Sequence, residues 1–109
     1  MAARKDIINK VQEFIAKLLA SVIPLDRVIL FGSQAKGTAN DDSDVDVALV
    51  SRIFSEFRFE DRKLFSKITI QKPFVEIETR TFSTEYFEAG DPFISDILKT
   101  GIELYKSTK

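Results

Sequence analysis

Apolar residues at positions 7, 8, 11, 14, 15, 18 and 19 recur at the three-to-four spacing of one helix face, so Asp6 to Ala20 is expected to be an amphipathic helix packed on a core. Pro24 closes that region and leads into Val28-Ile29-Leu30-Phe31, a short apolar run ended by Gly32 that reads as a buried strand stopping at a sharp turn. The pattern then changes period. From Asp44 to Val50 the order Asp-Val-Asp-Val-Ala-Leu-Val alternates, which places Asp44 and Asp46 on one face of a strand and Val45 and Val47 on the other. Between the two strands, Gly37 to Ser43 is a turn-forming loop whose Asp41 and Asp42 read as solvated charges.

Further along, Glu60 to Ile68 reads as a helix with Leu64, Phe65 and Ile68 as its inward face, and Pro73 to Arg80 as a third strand. In that strand Val75 and Ile77 take one face, leaving Glu76 and Glu78 on the other. Asp91-Pro92 carries the marks of a helix start and Gly101 of its stop, after which Ile102 to Tyr105 forms a short terminal strand.

Length and composition narrow the picture. A chain of 109 residues with 44% hydrophobic content supports one domain, spanning 1–109, with room for a core but none for a tail domain. The 16 basic and 17 acidic residues leave a net charge of −1, which argues against a basic stripe of the kind that binds nucleic acid. Cysteine and histidine are both absent, so disulfides, thiolate metal sites and imidazole catalysis are excluded. Chemistry is left to carboxylates, Lys, Tyr and metal-bound species. With no signal-peptide pattern or membrane-length apolar run, a cytoplasmic location is the default expectation.

Phe54, Phe57 and Phe59 interleave with Arg52, Glu56 and Arg58, and acids are as frequent there as bases. These rings are expected to cover a core edge or to face a partner protein rather than to stack nucleobases. Arg58, Arg62 and Lys63 lie within reach of a triphosphate in principle, but spacing selects none of them. Tyr86 and Tyr105 are candidates for self-modification, with a structural role the simpler reading of each.

The most informative pattern is Gly32-Ser33, ten intervening residues, and Asp44-Val45-Asp46. Gly32 permits backbone conformations closed to other residues and a close approach of ligand to main chain, while Ser33 offers a hydroxyl and a cap for the helical turn expected at Gln34-Ala35-Lys36. Amide groups at such a turn attract anions. Asp44 and Asp46 side by side would repel each other unless a hard cation lay between them, which points to Mg²⁺ or Mn²⁺. An edge strand with a polar outer face would account for Asp-x-Asp alone, but not for the joint pattern.

At these residues, with Ser43 before the first Asp, the chain resembles the DNA polymerase beta-like nucleotidyltransferases and specifically their minimal branch. The likeness covers nearly the whole chain. It implies an α/β fold with a small mixed sheet flanked by helices on one face. It implies two Mg²⁺ ions held by Asp44, Asp46 and a third carboxylate, with Gly32 and Ser33 binding the phosphates of ATP. The family has an Asp between two apolar residues at the third position, which Glu76, between Val75 and Ile77, matches with one extra methylene; Glu78 is the alternative. Minimal members are often paired with a HEPN-domain toxin whose tyrosine they adenylylate, so the resemblance implies a protein adenylyltransferase antitoxin. Two other readings stay open: a non-catalytic module that neutralises a partner by contact, and a small-molecule nucleotidyltransferase.

Overall fold

A computed structural model describes residues 5–40, 43–55 and 58–108. Asp41, Asp42, Glu56 and Phe57 lie outside the described residues, as does the side chain of Arg58. Helix α1 (Lys5–Ala20) leads into strand β1 (Arg27–Phe31), the single-turn helix α2 (Ser33–Lys36) and strand β2 (Val45–Val50). Helices α3 (Arg58–Lys63) and α4 (Ser66–Thr69) and a 3₁₀ turn (Lys72–Phe74) precede β3 (Ile77–Phe82). Helices α5 (Thr84–Ala89) and α6 (Pro92–Thr100) then return the chain to β4 (Ile102–Lys106). The four strands form one mixed sheet in the order β3-β2-β1-β4. β1 runs antiparallel to both β2 and β4, and β2 runs parallel to β3.

Alternation along the strands divides the sheet into two unlike faces. On the first, Val28, Leu30, Val45, Val47, Leu49 and Ile77 meet the apolar stripe of α1, namely Ile7, Val11, Phe14, Ile15 and Leu18, and the bulky Phe65, Ile68 and Phe74. Phe14 and Phe74 pack ring against ring at 5.3 Å. Each fully buried side chain of this size contributes roughly 1.5–3 kcal/mol of transfer free energy, so this layer dominates the stability of the fold. On the second face, Ile29, Ala48, Val50 and Phe82 pack with Phe87 of α5 and Ile94 and Ile97 of α6. Helices therefore flank both faces, not one. The α5–α6 layer covers the second face next to Ala48 and Val50, whereas the polar residues Asp46 and Glu78 stand on the same face nearer one end of the sheet.

Three local expectations change. The helix read over 60–68 is broken at Leu64 and Phe65, so Leu64 is exposed while Phe65 and Ile68 point inward. The third strand begins at Ile77 and not before: Val75 and Glu76 sit in the turn after the 3₁₀ segment, and Val75 is exposed. Helix α5 is additional. Its cap is Ser83, whose side chain accepts from the Tyr86 amide at 3.1 Å. Of the described Phe residues in the aromatic cluster, Phe54 is buried against Phe65, and Phe59 is 73% exposed. Among the described rings of this cluster, Phe59 is thus the one exposed to a partner.

Candidate active site

Gly32 ends β1 with φ 75° and ψ −156°, a region essentially reserved for glycine. From there the chain enters α2, with the Gly32 carbonyl accepting from the amides of Ala35 and Lys36, both at 3.1 Å. Ser33 is the first helical residue and Gly32 the cap position, with no side-chain capping bond. The Ser33 side chain is thus not consumed as a cap, contrary to the sequence expectation. The following loop is closed by Ser43, whose hydroxyl accepts from the Asn40 amide at 3.0 Å and whose own amide donates to the Asn40 carbonyl at 3.1 Å. Gln34, buried in α2, donates to the Ser43 carbonyl at 3.4 Å. These bonds fix the entry of the chain into Asp44 and β2.

In the antiparallel register Phe31 stands opposite Asp46, so the residue before Gly32 and the second carboxylate are cross-strand partners. A Cβ added to Gly32 would collide with Oδ2 of Asp46 and lie 3.2 Å from its Cγ. The positive φ requires glycine here, and a larger residue would in addition have to turn the Asp46 carboxylate aside. Asp44, one residue before β2, is exposed, and Asp46 is half-buried. The parallel register brings Glu78 beside Asp46, and Val45 beside Ile77. Glu76 is placed differently. Its carbonyl accepts from the Val45 amide at 3.1 Å, while its carboxylate is ion-paired with Lys10 of α1 at 2.8 Å.

Electrostatics follow this arrangement. Partial burial, together with the negative charges of Asp44 and Glu78, raises the Asp46 carboxyl above its ordinary value of 3.8, and only Arg80 acts in the opposite sense. The donor set is all oxygen and mutually repulsive, which fits a hard divalent cation such as Mg²⁺. Among the described residues no three acidic groups are already arranged around a metal position. The strands bring the carboxylates into one another's field without closing them into a ligand cage.

Of the α3 cations that spacing left unselected, Arg58 has its side chain outside the described residues, and Arg62 and Lys63 line a groove with Phe59 and Ile70. Lys63 engages Glu60 at 3.6 Å and the Phe59 ring at 4.8 Å. Buried Asp61 of the same helix accepts from Thr81, which points to the face of β3 opposite Glu78. The cation that does reach the site is Arg80, two residues after Glu78 and therefore on the same face. Strand alternation over residues 76–80 was sufficient to find it. Tyr86 donates to Asp91 at 2.5 Å and stacks on Phe82, and Tyr105 is half-buried on β4.

A search among solved structures finds the same fold elsewhere. A nucleotidyltransferase-type protein from Sulfolobus solfataricus superposes with a TM-score of 0.69 at 20% identity, over 100% of this chain and 95% of the other. A toxin–antitoxin structure with AMP-PNP gives 0.62 at 17% identity, covering 93% of this chain and 74% of its match. A mutant of the toxin–antitoxin MntA-HpeT with two Asp-to-Glu changes gives 0.58 at 16%, with the same coverage. No curated protein matches by sequence. The nucleotidyltransferase domain model does match, over residues 8–104, a span that runs from α1 to β4 and takes in Gly32, Ser33, Asp44, Asp46 and Glu78. With strands β1 to β3, the Gly-Ser turn and the paired aspartates all inside that span, the chain belongs to the nucleotidyltransferase domain family.

Proposed function

We propose that this chain is a metal-dependent nucleotidyltransferase antitoxin that moves AMP from ATP onto a tyrosine hydroxyl of a HEPN-type toxin in the cytoplasm. The observation that carries the reading is the packing of Asp46 against Gly32: a phosphate seated at the Gly-Ser turn lies next to the carboxylates that bind a cation. Asp44 and Asp46 hold that cation, and Glu78 supplies the third carboxylate because the parallel register sets it beside Asp46, whereas Glu76 sits in the turn before β3. When bound, Mg²⁺ offsets phosphate charge and makes the acceptor hydroxyl more acidic.

The chain's own part is positional. Gly32 lets the β- and γ-phosphates approach the main chain, and the Ser33 hydroxyl, not used as a cap, is available to donate to them. Glu78 accepts the proton of the attacking hydroxyl. The new bond forms between that oxygen and the α-phosphorus, the bond to the β-phosphate bridging oxygen breaks, and pyrophosphate leaves. A partner toxin as acceptor is supported by the fold shared with two toxin–antitoxin structures and by the near-zero net charge, which suits a protein better than a nucleic acid.

One observation favours a second reading, neutralisation by contact alone: among the described residues the acidic groups are not closed around a metal position. The two separate cleanly in a growth assay. With the toxin and either wild type or Asp44→Ala plus Asp46→Ala co-expressed, transfer requires that the double variant lose protection. Protection by a variant that still folds would overturn the enzymatic reading in favour of contact.

A further inference from the structure

We propose that Arg80, seated on the ring of Phe93, is a phosphate-binding residue of this site that holds the β- and γ-phosphates of the nucleoside triphosphate. The inference rests on the nucleotidyltransferase reading and names a residue that the Gly-Ser and Asp-x-Asp pattern does not contain.

Three observations place it. Glu78, Arg80 and Phe82 are successive same-face residues of β3, so Arg80 follows Glu78 along the edge strand and sits level with Ala48, which follows Asp46 on the same face of β2. Its guanidinium carbon stands 4.7 Å from the centre of the Phe93 ring, and that ring meets Phe31 edge-to-face at 5.7 Å. Phe31 immediately precedes Gly32 and is cross-strand from Asp46. A continuous set of contacts therefore runs from the guanidinium through two aromatic rings to the phosphate-binding turn.

Charge supplies the reason for it. The acidic groups on this face are Asp44, Asp46 and Glu78, with Asp91 at its edge, and Arg80 is the cation whose field reaches both Asp46 and Asp91. Such a surface repels a triphosphate, and a metal ion held by the carboxylates neutralises only part of that repulsion. Arg80 is exposed, and no ion pair with a described carboxylate occupies it. An arginine resting on an aromatic face keeps its planar fork free for two parallel bonds to phosphate oxygens, a geometry that a lysine ammonium does not provide. Phe93 is thus a positioning residue and Arg80 the binding one.

Calorimetric titration of a non-hydrolysable ATP analogue with Mg²⁺, and of AMP as the ligand lacking the outer phosphates, tests this without relying on turnover. Arg80→Ala is expected to weaken the triphosphate by about tenfold or more, as the loss of a charge-assisted pair of bonds implies, and to leave AMP within about twofold. Arg80→Lys should recover only part of the loss, and Phe93→Leu should weaken the triphosphate less than Arg80→Ala does. Because Arg80 is exposed, the thermal midpoint of Arg80→Ala should match wild type; should it drop, the comparison is made with Arg80→Lys alone. Equal triphosphate affinity in wild type and Arg80 variants overturns the inference, as does an equal loss for AMP and triphosphate. Failure of wild type itself to bind the triphosphate with Mg²⁺ overturns the nucleotidyltransferase reading as well.

Discussion

Gly32 and Asp46 are packed so closely that no Cβ fits between them: one added to Gly32 would strike Oδ2 of Asp46. This contact joins the Gly-Ser turn to the carboxylate pair. Gly32→Ala must therefore both adopt a positive φ and displace the Asp46 side chain. Strain of this kind costs on the order of 1–3 kcal/mol. Denaturant unfolding should show a loss of that size, and Mg²⁺-dependent nucleotide binding should fall further than the stability loss explains.

Asp46→Asn should have opposite effects on stability and on function. The folded-state carboxyl of Asp46 titrates above its unfolded value of 3.8, chiefly through burial and then through Asp44 and Glu78. A raised folded pKa means that the native state holds the proton more tightly. The associated stability is fully present below pH 3.8 and is lost as pH rises through the raised folded value. Without metal, wild type should lose stability across that window relative to Asp46→Asn, so that the variant is the more stable of the two at neutral pH. Adding Mg²⁺ should stabilise wild type and leave the variant unmoved. Parallel pH profiles for the two proteins would show that the carboxylates do not crowd one another.

Glu78 and Glu76 can be told apart by the same class of measurement. Glu78→Gln removes the carboxylate in register with Asp46 and should lower AMP transfer by about two orders of magnitude, the scale of losing a transition-state partner. Glu76→Gln breaks an ion pair with Lys10 whose Glu76 side chain is 54% exposed, worth at most about 1 kcal/mol, and should leave transfer within about twofold. The reverse pattern would return the third carboxylate to Glu76.

The site was largely legible because its parts are local. Gly32 announces a turn, and the alternation from Asp44 to Val50 fixes which side chains share a face before any neighbour is known. What depended on pairing was not legible. Glu76 and Glu78 have the same strand parity, and only the β2–β3 register and the reach of Lys10, 66 residues away, separate them. Asp61 reads as one more charge in Arg-Phe-Glu-Asp-Arg-Lys. Yet it is 2% exposed, accepting from the Ser55 amide at 2.9 Å, the Ser55 hydroxyl at 3.0 Å and Thr81 at 2.7 Å. Helix α5 escaped notice because six residues with a single buried position, Phe87, carry no period. Helix α6 was legible from Asp91-Pro92 and Gly101, but the sheet face it covers is set by pairing and not by its own residues.

The most direct test of the whole scheme is the incorporation of label from α-labelled ATP into the candidate toxin, presented as a purified protein with Mg²⁺ and either wild type or Asp46→Asn. The expected result is one AMP on a toxin tyrosine with wild type, no signal above background with Asp46→Asn, and dependence on Mg²⁺. No transfer by wild type, or equal transfer by Asp46→Asn, would contradict it.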